Sequence, residues 1–247
     1  MLFVAPANIF LAYAPPLAAL LAFRRAAALN ESDPRIVTHG FLAGVPAVIP
    51  VLAALVLLAG PLTAGLASVG FPSIGFPSAA SPAVPAFLGR VVRSFGFSAT
   101  IEELSKLAAL ALVVRIHRAR LTGRVVVLAG AATGAGFAFV ENGLYLIDLP
   151  RVLALRLLTA GVLHVSVSAI CGYGIAVVAY RYGRMLPWVL CAIALHGGYN
   201  YLIELGGVPA IWAPLVPVTA AIIAWSRYNH AERFRLPGRR TRAYPDS

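Results

Sequence analysis

Residues 125–149 read VVVLAGAATGAGFAFVENGLYLIDL, a run in which Glu141 and Asp148 are the only charged residues. A helix needs about 20 apolar residues to cross about 30 Å of hydrocarbon, and this run is long enough. Comparable runs recur along the chain, bounded by Arg, Gly and Pro. Together they predict about seven membrane-spanning helices. The expected spans are residues 2–23, 36–59, 94–114, 125–149, 157–180, 185–205 and 210–226.

The composition agrees with a membrane protein. Of the 247 residues, 60% are hydrophobic and 12% are charged, which leaves too little polar surface for a soluble domain. The net charge of +11 comes from arginines that lie at span ends and in the tail. This pattern is typical of residues that set the membrane topology and contact lipid headgroups. We therefore expect an all-α, polytopic membrane helical bundle in the cell membrane, with the lipid bilayer and not nucleic acid as a partner.

The arginines also predict the orientation of the chain. Fifteen of them lie in the tail and in the loops after the first, third and fifth spans, whereas four lie on the opposite side. The positive-inside rule then places the N-terminus outside and the C-terminus in the cytoplasm. No basic residue precedes the first apolar run, so we expect a retained helix rather than a cleaved signal peptide.

The sequence predicts a single transmembrane domain over residues 1–226, with a functional core at about residues 94–205. Residues 60–93 form a predicted outer loop rich in Gly, Pro and Ser, which is either flexible or a re-entrant lid over a site. Residues 227–247 are expected to be a basic cytoplasmic tail with little order. The two cysteines, Cys171 and Cys191, lie in apolar runs and give no disulfide framework.

Several ionisable and amide side chains fall inside the predicted spans. A charge at the bilayer centre costs about 2.5–3.5 kcal/mol even on insertion scales, so such groups should face the protein interior or a water-filled cavity. A purely structural alternative is an i,i+4 ion pair between Glu102 and Lys106, although it leaves the groups on other spans unexplained. The residues are Glu102, Glu103, Lys106, Glu141, Asn142, His164, His196 and Asn200.

The depth of these residues predicts that they form one site. With a rise of 1.5 Å per residue, Glu102, Glu141, His164 and His196 each lie about 10–13 Å from the outer end of their span, and Asn200 lies about 8 Å from it. His196 and Asn200 also share a helix face. The other three histidines have simpler explanations: packing or hydrogen bonding for His39, and solvation for His117 and His230, which lie in polar segments.

Four motifs in order resemble those of the PrsW intramembrane proteases. They are IEELSK at residues 101–106, GFAFVEN at 136–142, His164 followed by Gly-Tyr at 172–173, and ALHGGYN at 194–200. Arg156, eight residues before His164, matches the pattern as well. A more distant similarity extends to the CAAX prenyl endopeptidases and bacterial immunity-type membrane proteases.

The resemblance implies proteolysis inside the membrane. Its expected substrates are single-span membrane proteins or peptides, such as anti-sigma-factor-like regulators, cut near the extracytoplasmic side. It implies catalytic roles for Glu102, Glu103, Glu141, His164, His196 and Asn200, with Lys106, Asn142 and Arg156 in support.

Two chemical schemes are compatible with these residues. Peptide hydrolysis needs an activated water, an oxyanion stabiliser and a proton donor. We favour Glu102 over Glu103 as the base, since adjacent helical residues point about 100° apart and the other carboxylate would meet Lys106. In one scheme Glu141, His164 and His196 bind zinc; in the other Glu102 and Glu141 polarise water without metal, and His196 and Asn200 bind the oxyanion.

Two other functions are open to this sequence. Buried glutamates and histidines also form proton relays, so the chain can be read as a proton-coupled transporter. No paired internal repeat supports that interpretation. The third alternative is a non-catalytic membrane scaffold with the same fold.

Overall fold

The computed structural model describes residues 6–54, 56–57, 86–148 and 153–234, which are mostly helical and contain no strand. Eight helices are labelled here. Five are single α-helices: α1 Pro6–Leu29, α4 Gly123–Asp148, α6 Leu186–Leu205, α7 Gly207–Trp212 and α8 Leu215–His230. Helix α2, Pro34–Gly44, is followed by a turn and helical residues 48–54. Helices α3 and α5 each contain a π-helical stretch: α3 joins Ala86–Val91, the π-helical Val92–Ala99 and Thr100–His117, and α5 joins Leu153–Arg156, the π-helical Leu157–Gly161 and Val162–Ala179.

Six helical segments within the described residues are long and apolar enough to cross a membrane. They are Pro6–Leu29, Pro34–Ala54, Gly123–Leu146, Ala154–Ala179, Leu186–Leu205 and Gly207–Arg233. The expectation of an all-α polytopic membrane bundle is thus confirmed. Helix α3 is not among the six, and it carries Glu102, Glu103 and Lys106. A seventh crossing by α3 and the orientation of the termini remain predictions.

Helix α4 is the centre of the bundle and is packed on two sides. Its glycines and alanines let neighbouring backbones approach closely, as small residues do in membrane helix packing. A Cβ atom on Gly44 of α2 would lie 2.1 Å from the carbonyl oxygen of Thr133. On the other side, a Cβ atom on Gly134 would lie 2.1 Å from the carbonyl oxygen of His164 in α5. Helices α2 and α5 are therefore held against α4 by backbone contact.

The predicted spans and loop differ from the helices at several ends. Helix α1 continues to Leu29, past the expected end at residue 23, through a run of alanines that favour helix. Helix α3 begins at Ala86, so residues 86–93 of the predicted outer loop are helical. Most of that loop lies outside the described residues, and its two interpretations stay open.

The tail also differs from the prediction at its beginning. The last helix runs through His230, and a 3₁₀ turn at Ala231–Arg233 brings Phe234 into the core, where it is 4% exposed. Its ring stacks on Tyr180 and Tyr182, with centroids 5.9 Å and 4.9 Å away. Aromatic burial thus orders residues 227–234, which the charge pattern had assigned to a tail. Residues 235–247 lie outside the described part of the chain.

All three remaining histidines have specific partners. His230, expected to be solvated, lies 2.9 Å from the hydroxyl of the buried Tyr173 through Nδ1. His39 Nδ1 and His117 Nε2 lie 2.7 Å apart and join α2 to α3. Partial burial, and then the neighbouring His39, lower the pKa of His117.

Candidate active site

A cavity of about 590 Å³ lies among α3, α4, α5 and α6. Its wall includes six side chains that the sequence had singled out: Glu102, Glu141, Arg156, His164, His196 and Asn200. Both π-helical stretches border this cavity. Val92–Ala99 contributes Ser94, Phe97 and Ser98 to its wall, and Leu157–Gly161 contributes Ala160. Since π-helical turns often occur at functional sites, their position at the cavity agrees with a functional role.

Glu103 forms a buried cluster with a lysine and a histidine behind the cavity. The side chains of Glu103 and Lys106 are 0% and 1% exposed, and Lys106 Nζ lies 2.5 Å from Glu103 Oε1. The same oxygen lies 2.7 Å from His196 Nδ1. Because a carboxylate only accepts, Nδ1 of His196 donates this hydrogen bond. Lys106 therefore pairs with Glu103 at i,i+3, and the alternative pairing with Glu102 at i,i+4 is not formed.

Glu102 points to the cavity instead. Its Oε1 accepts a hydrogen bond from Ser98 Oγ at 3.0 Å, and Ser98 Oγ in turn accepts one from Asn200 Nδ2 at 3.2 Å. Its Oε2 is buried, has no hydrogen-bond partner among the described residues and lies 3.6 Å from His196 Nε2. Separations of this size between polar atoms are often bridged by a water molecule. Glu102 thus has one oxygen fixed by the protein and one free.

His164 is held between two charged neighbours. Its Nδ1 lies 3.1 Å from Lys106 Nζ, and its Nε2 lies 2.7 Å from Glu141 Oε2. The other oxygen of Glu141 pairs with Arg156 Nη2 at 2.9 Å. Carboxylates commonly orient histidines in this way at functional sites. Arg156 also stacks on Tyr145, with its guanidinium carbon 3.5 Å from the ring centroid.

A metal ion fits a set of ligands that differs in one residue from the predicted set. Glu102, His164 and His196 each offer a ligand atom, and the three atoms lie within 4.8 Å of one another. Two imidazoles and a carboxylate suit zinc, and the orphaned Oε2 of Glu102 is a vacant donor. The sequence had favoured Glu141 as the carboxylate, but Glu141 is bound by Arg156 and is not in this group. A metal at His164 would replace Lys106 or Glu141 at one ring nitrogen.

Asn142 does not belong to the cavity wall. Its side chain is buried, and Nδ2 donates a hydrogen bond to the carbonyl oxygen of Ala12 at 3.3 Å. It therefore links α4 to α1 and lies on a different face of α4 from Glu141. Its partner is distant in the sequence, and no local pattern could have indicated this contact.

The cavity wall also contains polar residues that were not predicted from the sequence to belong to the site. Arg93 forms an ion pair with Glu204 near the ends of α3 and α6, and Ser94 Oγ donates to Glu204 Oε2 at 3.1 Å. Glu204 lies in an apolar span and could have been flagged by the same cost argument as Glu102. Tyr145 lies four residues after Glu141 and Ser98 four residues before Glu102, so helix periodicity could have added both.

Comparison with known proteins gives a match over most of the chain. The model of the family described as PrsW family intramembrane metalloprotease matches residues 34–226. Over 117 residues the chain is 28% identical to Protease PrsW of Shouchella clausii (strain KSM-K16), a match covering 44% of this chain and 54% of that protein. The chain thus spans about half the length of this relative. No solved structure matches.

Proposed function

Because this chain belongs to the PrsW family of intramembrane metalloproteases, we propose that it is a membrane-embedded endopeptidase. Its proposed substrates are membrane-anchored proteins with a single span, such as anti-sigma-factor-like regulators. The observation that carries the proposal is the pair formed by Glu102 Oε2 and His196 Nε2, which lie 3.6 Å apart at a buried cavity.

The proposed nucleophile is a water molecule between these two atoms. Glu102 Oε2 has no partner, so it can accept a proton from that water while Ser98 holds Oε1 in place. His196 Nδ1 donates to Glu103, which leaves Nε2 to take this same proton from Glu102 and pass it to the peptide nitrogen as the C–N bond breaks. Paired with Lys106, Glu103 stays ionised and keeps the imidazole in this orientation.

Asn200 is the proposed stabiliser of the oxyanion. One of its two amide protons is directed to Ser98, so the second is available to a substrate carbonyl oxygen. A hydrogen-bond donor at this position stabilises the transition state, because negative charge develops on that carbonyl oxygen there. Asn200 also lies one helical turn after His196 on the same face of α6, which keeps the donor beside the proposed water.

As the alternative to this metal-free mechanism, we propose that Glu102, His164 and His196 hold zinc, in which case Glu102 Oε2 and His196 Nε2 would be ligand atoms and not proton carriers. Bound there, zinc supplies a water of lowered pKa and polarises the scissile carbonyl. Glu141 then orients His164, and Arg156 fixes Glu141, as their contacts at 2.7 Å and 2.9 Å support.

The central test replaces Glu102 with the isosteric Gln. Loss of the proton acceptor is expected to reduce cleavage by about 10²–10⁴-fold, measured as the rate of product formation from a single-span reporter in liposomes. Glu204→Gln is the matched control, since it neutralises another carboxylate of the same cavity that is already paired with Arg93. If Glu102→Gln cleaved the reporter at the wild-type rate, the proposed mechanism would be wrong.

Metal analysis tests the zinc assignment separately. The purified protein is expected to contain zinc, and His164→Ala and His196→Ala are expected to lose it while still inserting into membranes. If the wild type contains no metal and strong chelators leave cleavage unchanged, the zinc assignment is wrong, whereas the roles of Glu102 and His196 stand.

The location of cleavage depends on the orientation of the chain. The arginine distribution supports a cytoplasmic C-terminus, which puts the cavity toward the extracytoplasmic side. Reporter fusions after Ser247 and at Ser78 are expected to report the cytoplasm and the outside, respectively. The reverse result would require cleavage near the cytoplasmic side.

A further inference from the structure

A groove lies between α3 and α5 at the opposite end from the cavity. The two helices meet where Lys106 Nζ lies 3.1 Å from His164 Nδ1. Toward the C-terminal ends of both helices they border an opening of about 260 Å³. Leu121 and Tyr180 contribute to its wall, and the Tyr180 hydroxyl donates to the carbonyl oxygen of Leu121 at 2.9 Å. The groove is therefore separate from the proposed active site, although the same helices form both.

The groove has an apolar part and a basic edge. Ala111, Val114 and Ile175 supply aliphatic surface along the helices. Arg115 and Arg118 lie at the helix end and are both exposed. An apolar channel that ends at guanidinium groups matches a molecule with a hydrocarbon chain and an anionic head.

These two arginines differ from their neighbours in the sequence. Arg120 is 3.4 Å from Asp33, and Arg124 is 2.8 Å from Glu232, so each has a carboxylate of the protein nearby. Arg115 and Arg118 have no ion pair or hydrogen-bonded side-chain partner within residues 6–54, 56–57, 86–148 and 153–234. Their charge at the groove is left for an external anion.

We propose that the groove binds an anionic phospholipid of the cytoplasmic leaflet. The phosphate lies on the guanidinium groups of Arg115 and Arg118, whose planar donors suit phosphate oxygens. One acyl chain lies along the aliphatic wall of α3 and α5. Basic pockets between membrane helices on the cytoplasmic side bind anionic headgroups in this way. This ligand is independent of the peptide substrate and of the proposed proteolysis.

The test is lipid retention by the full-length protein. Protein purified in phosphatidylcholine nanodiscs is titrated with phosphatidylglycerol, and bound lipid is measured by native mass spectrometry after release. The double variant Arg115→Gln/Arg118→Gln is expected to bind roughly thirtyfold more weakly, since each arginine near an anionic headgroup contributes about 1 kcal/mol. Arg24→Gln/Arg25→Gln removes the same charge from the end of α1, outside the groove, and is expected to bind as the wild type does.

A second variant keeps the arginines and fills the groove. Ala111→Leu/Ala179→Leu places larger side chains along the wall and is expected to lose phosphatidylglycerol as well. Equal retention by the Arg115/Arg118 variant and the Arg24/Arg25 control would overturn the proposal. So would full retention by the filled groove, equal retention of phosphatidylcholine, or displacement of the lipid by inorganic phosphate at matched concentration.

Discussion

Helices α4 and α5 meet in two different ways along their length. Near their middle, glycines bring the backbones into contact: a Cβ atom on Gly130 would lie 2.4 Å from the carbonyl oxygen of Ser168. Toward the C-terminal end of α4 and the N-terminal end of α5, the same helices carry Glu141 and Arg156, which pair across the edge of the cavity. The packed half has no room for a methyl group, whereas the cavity half borders an open volume of about 590 Å³.

His164 belongs to both halves, and this explains why they lie side by side. Its carbonyl oxygen is the atom that a Cβ on Gly134 would meet, while its imidazole lies at the cavity between Lys106 and Glu141. Close packing therefore fixes the backbone from which the imidazole of His164 extends into the candidate site. A site of buried charges needs such support because poorly placed partners leave costly unpaired groups.

The largest effect is expected from adding one methyl group to the packed half. In Gly134→Ala the new carbon would lie 2.1 Å from the carbonyl oxygen of His164, so α5 must move. Overpacking of this kind costs about 1–3 kcal/mol and would also displace the His164 imidazole. We expect a lower melting temperature in detergent together with reduced cleavage.

Gly198→Ala is the matched control for that change. Beyond its chain neighbours and the nearby backbone of its own helix, no atom of the described residues lies within 4 Å of a Cβ at Gly198, and a glycine in a helix interior costs about 1 kcal/mol relative to alanine. The control is expected to be neutral or more stable. If the two variants melted and cleaved alike, the packed half would not determine the position of His164.

A smaller effect is expected in the cavity half from Arg156→Gln. This change leaves Glu141 without its cationic partner, so the carboxylate no longer holds His164 in place. Loss of such a supporting contact typically costs about 10–100-fold in activity or metal affinity. Cleavage rate and metal content should fall together.

Arg93→Gln serves as the comparison for Arg156. Arg93 also lines the cavity, but its side chain is 36% exposed and its partner Glu204 is 25% exposed. Exposed pairs contribute about 0–1 kcal/mol, so this variant should retain most of its cleavage and its metal. A larger loss from Arg93→Gln than from Arg156→Gln would reverse the assigned roles.

The sequence predicted the bundle because hydrophobic spans depend on local composition. The cost of burying charge also selected Glu102, Glu141, His164 and His196, which the structure places at one cavity. It predicted Glu141 as the carboxylate of a metal site, whereas the ligand atoms that lie within 4.8 Å of one another belong to Glu102, His164 and His196. This difference depends on Arg156, which approaches Glu141 from another helix. The contact of Asn142 with Ala12 and the π-helical stretches likewise depend on the arrangement of neighbouring helices, which spacing does not encode.

The smallest effect is expected at the opposite end of the bundle, where Asp33 caps α2. Asp33 accepts a hydrogen bond from the backbone N–H of Arg35 at 2.9 Å, and this bond, followed by Arg120, holds the pKa of Asp33 below its usual range. Because the folded-state pKa is depressed, its stabilisation is present above the unfolded-state pKa and is lost as the pH falls through the folded-state pKa.

Asp33→Asn separates the charge from the cap, since asparagine is an equally good N-cap residue. The melting temperature of this variant should depend less on pH below about pH 4 and should be close to that of the wild type at neutral pH. Asp33→Ala, which removes the cap, should lower the free energy of unfolding by about 1 kcal/mol at neutral pH. Glu31→Gln is the control, because it lies two residues before the cap position. The melting temperature of this variant should keep the part of its pH dependence that comes from Asp33. Cleavage at neutral pH should be nearly unchanged in Asp33→Asn, because the cap lies at the far end of the bundle from the cavity. A loss of cleavage comparable to that of Arg156→Gln would show that this end of the bundle also controls the site.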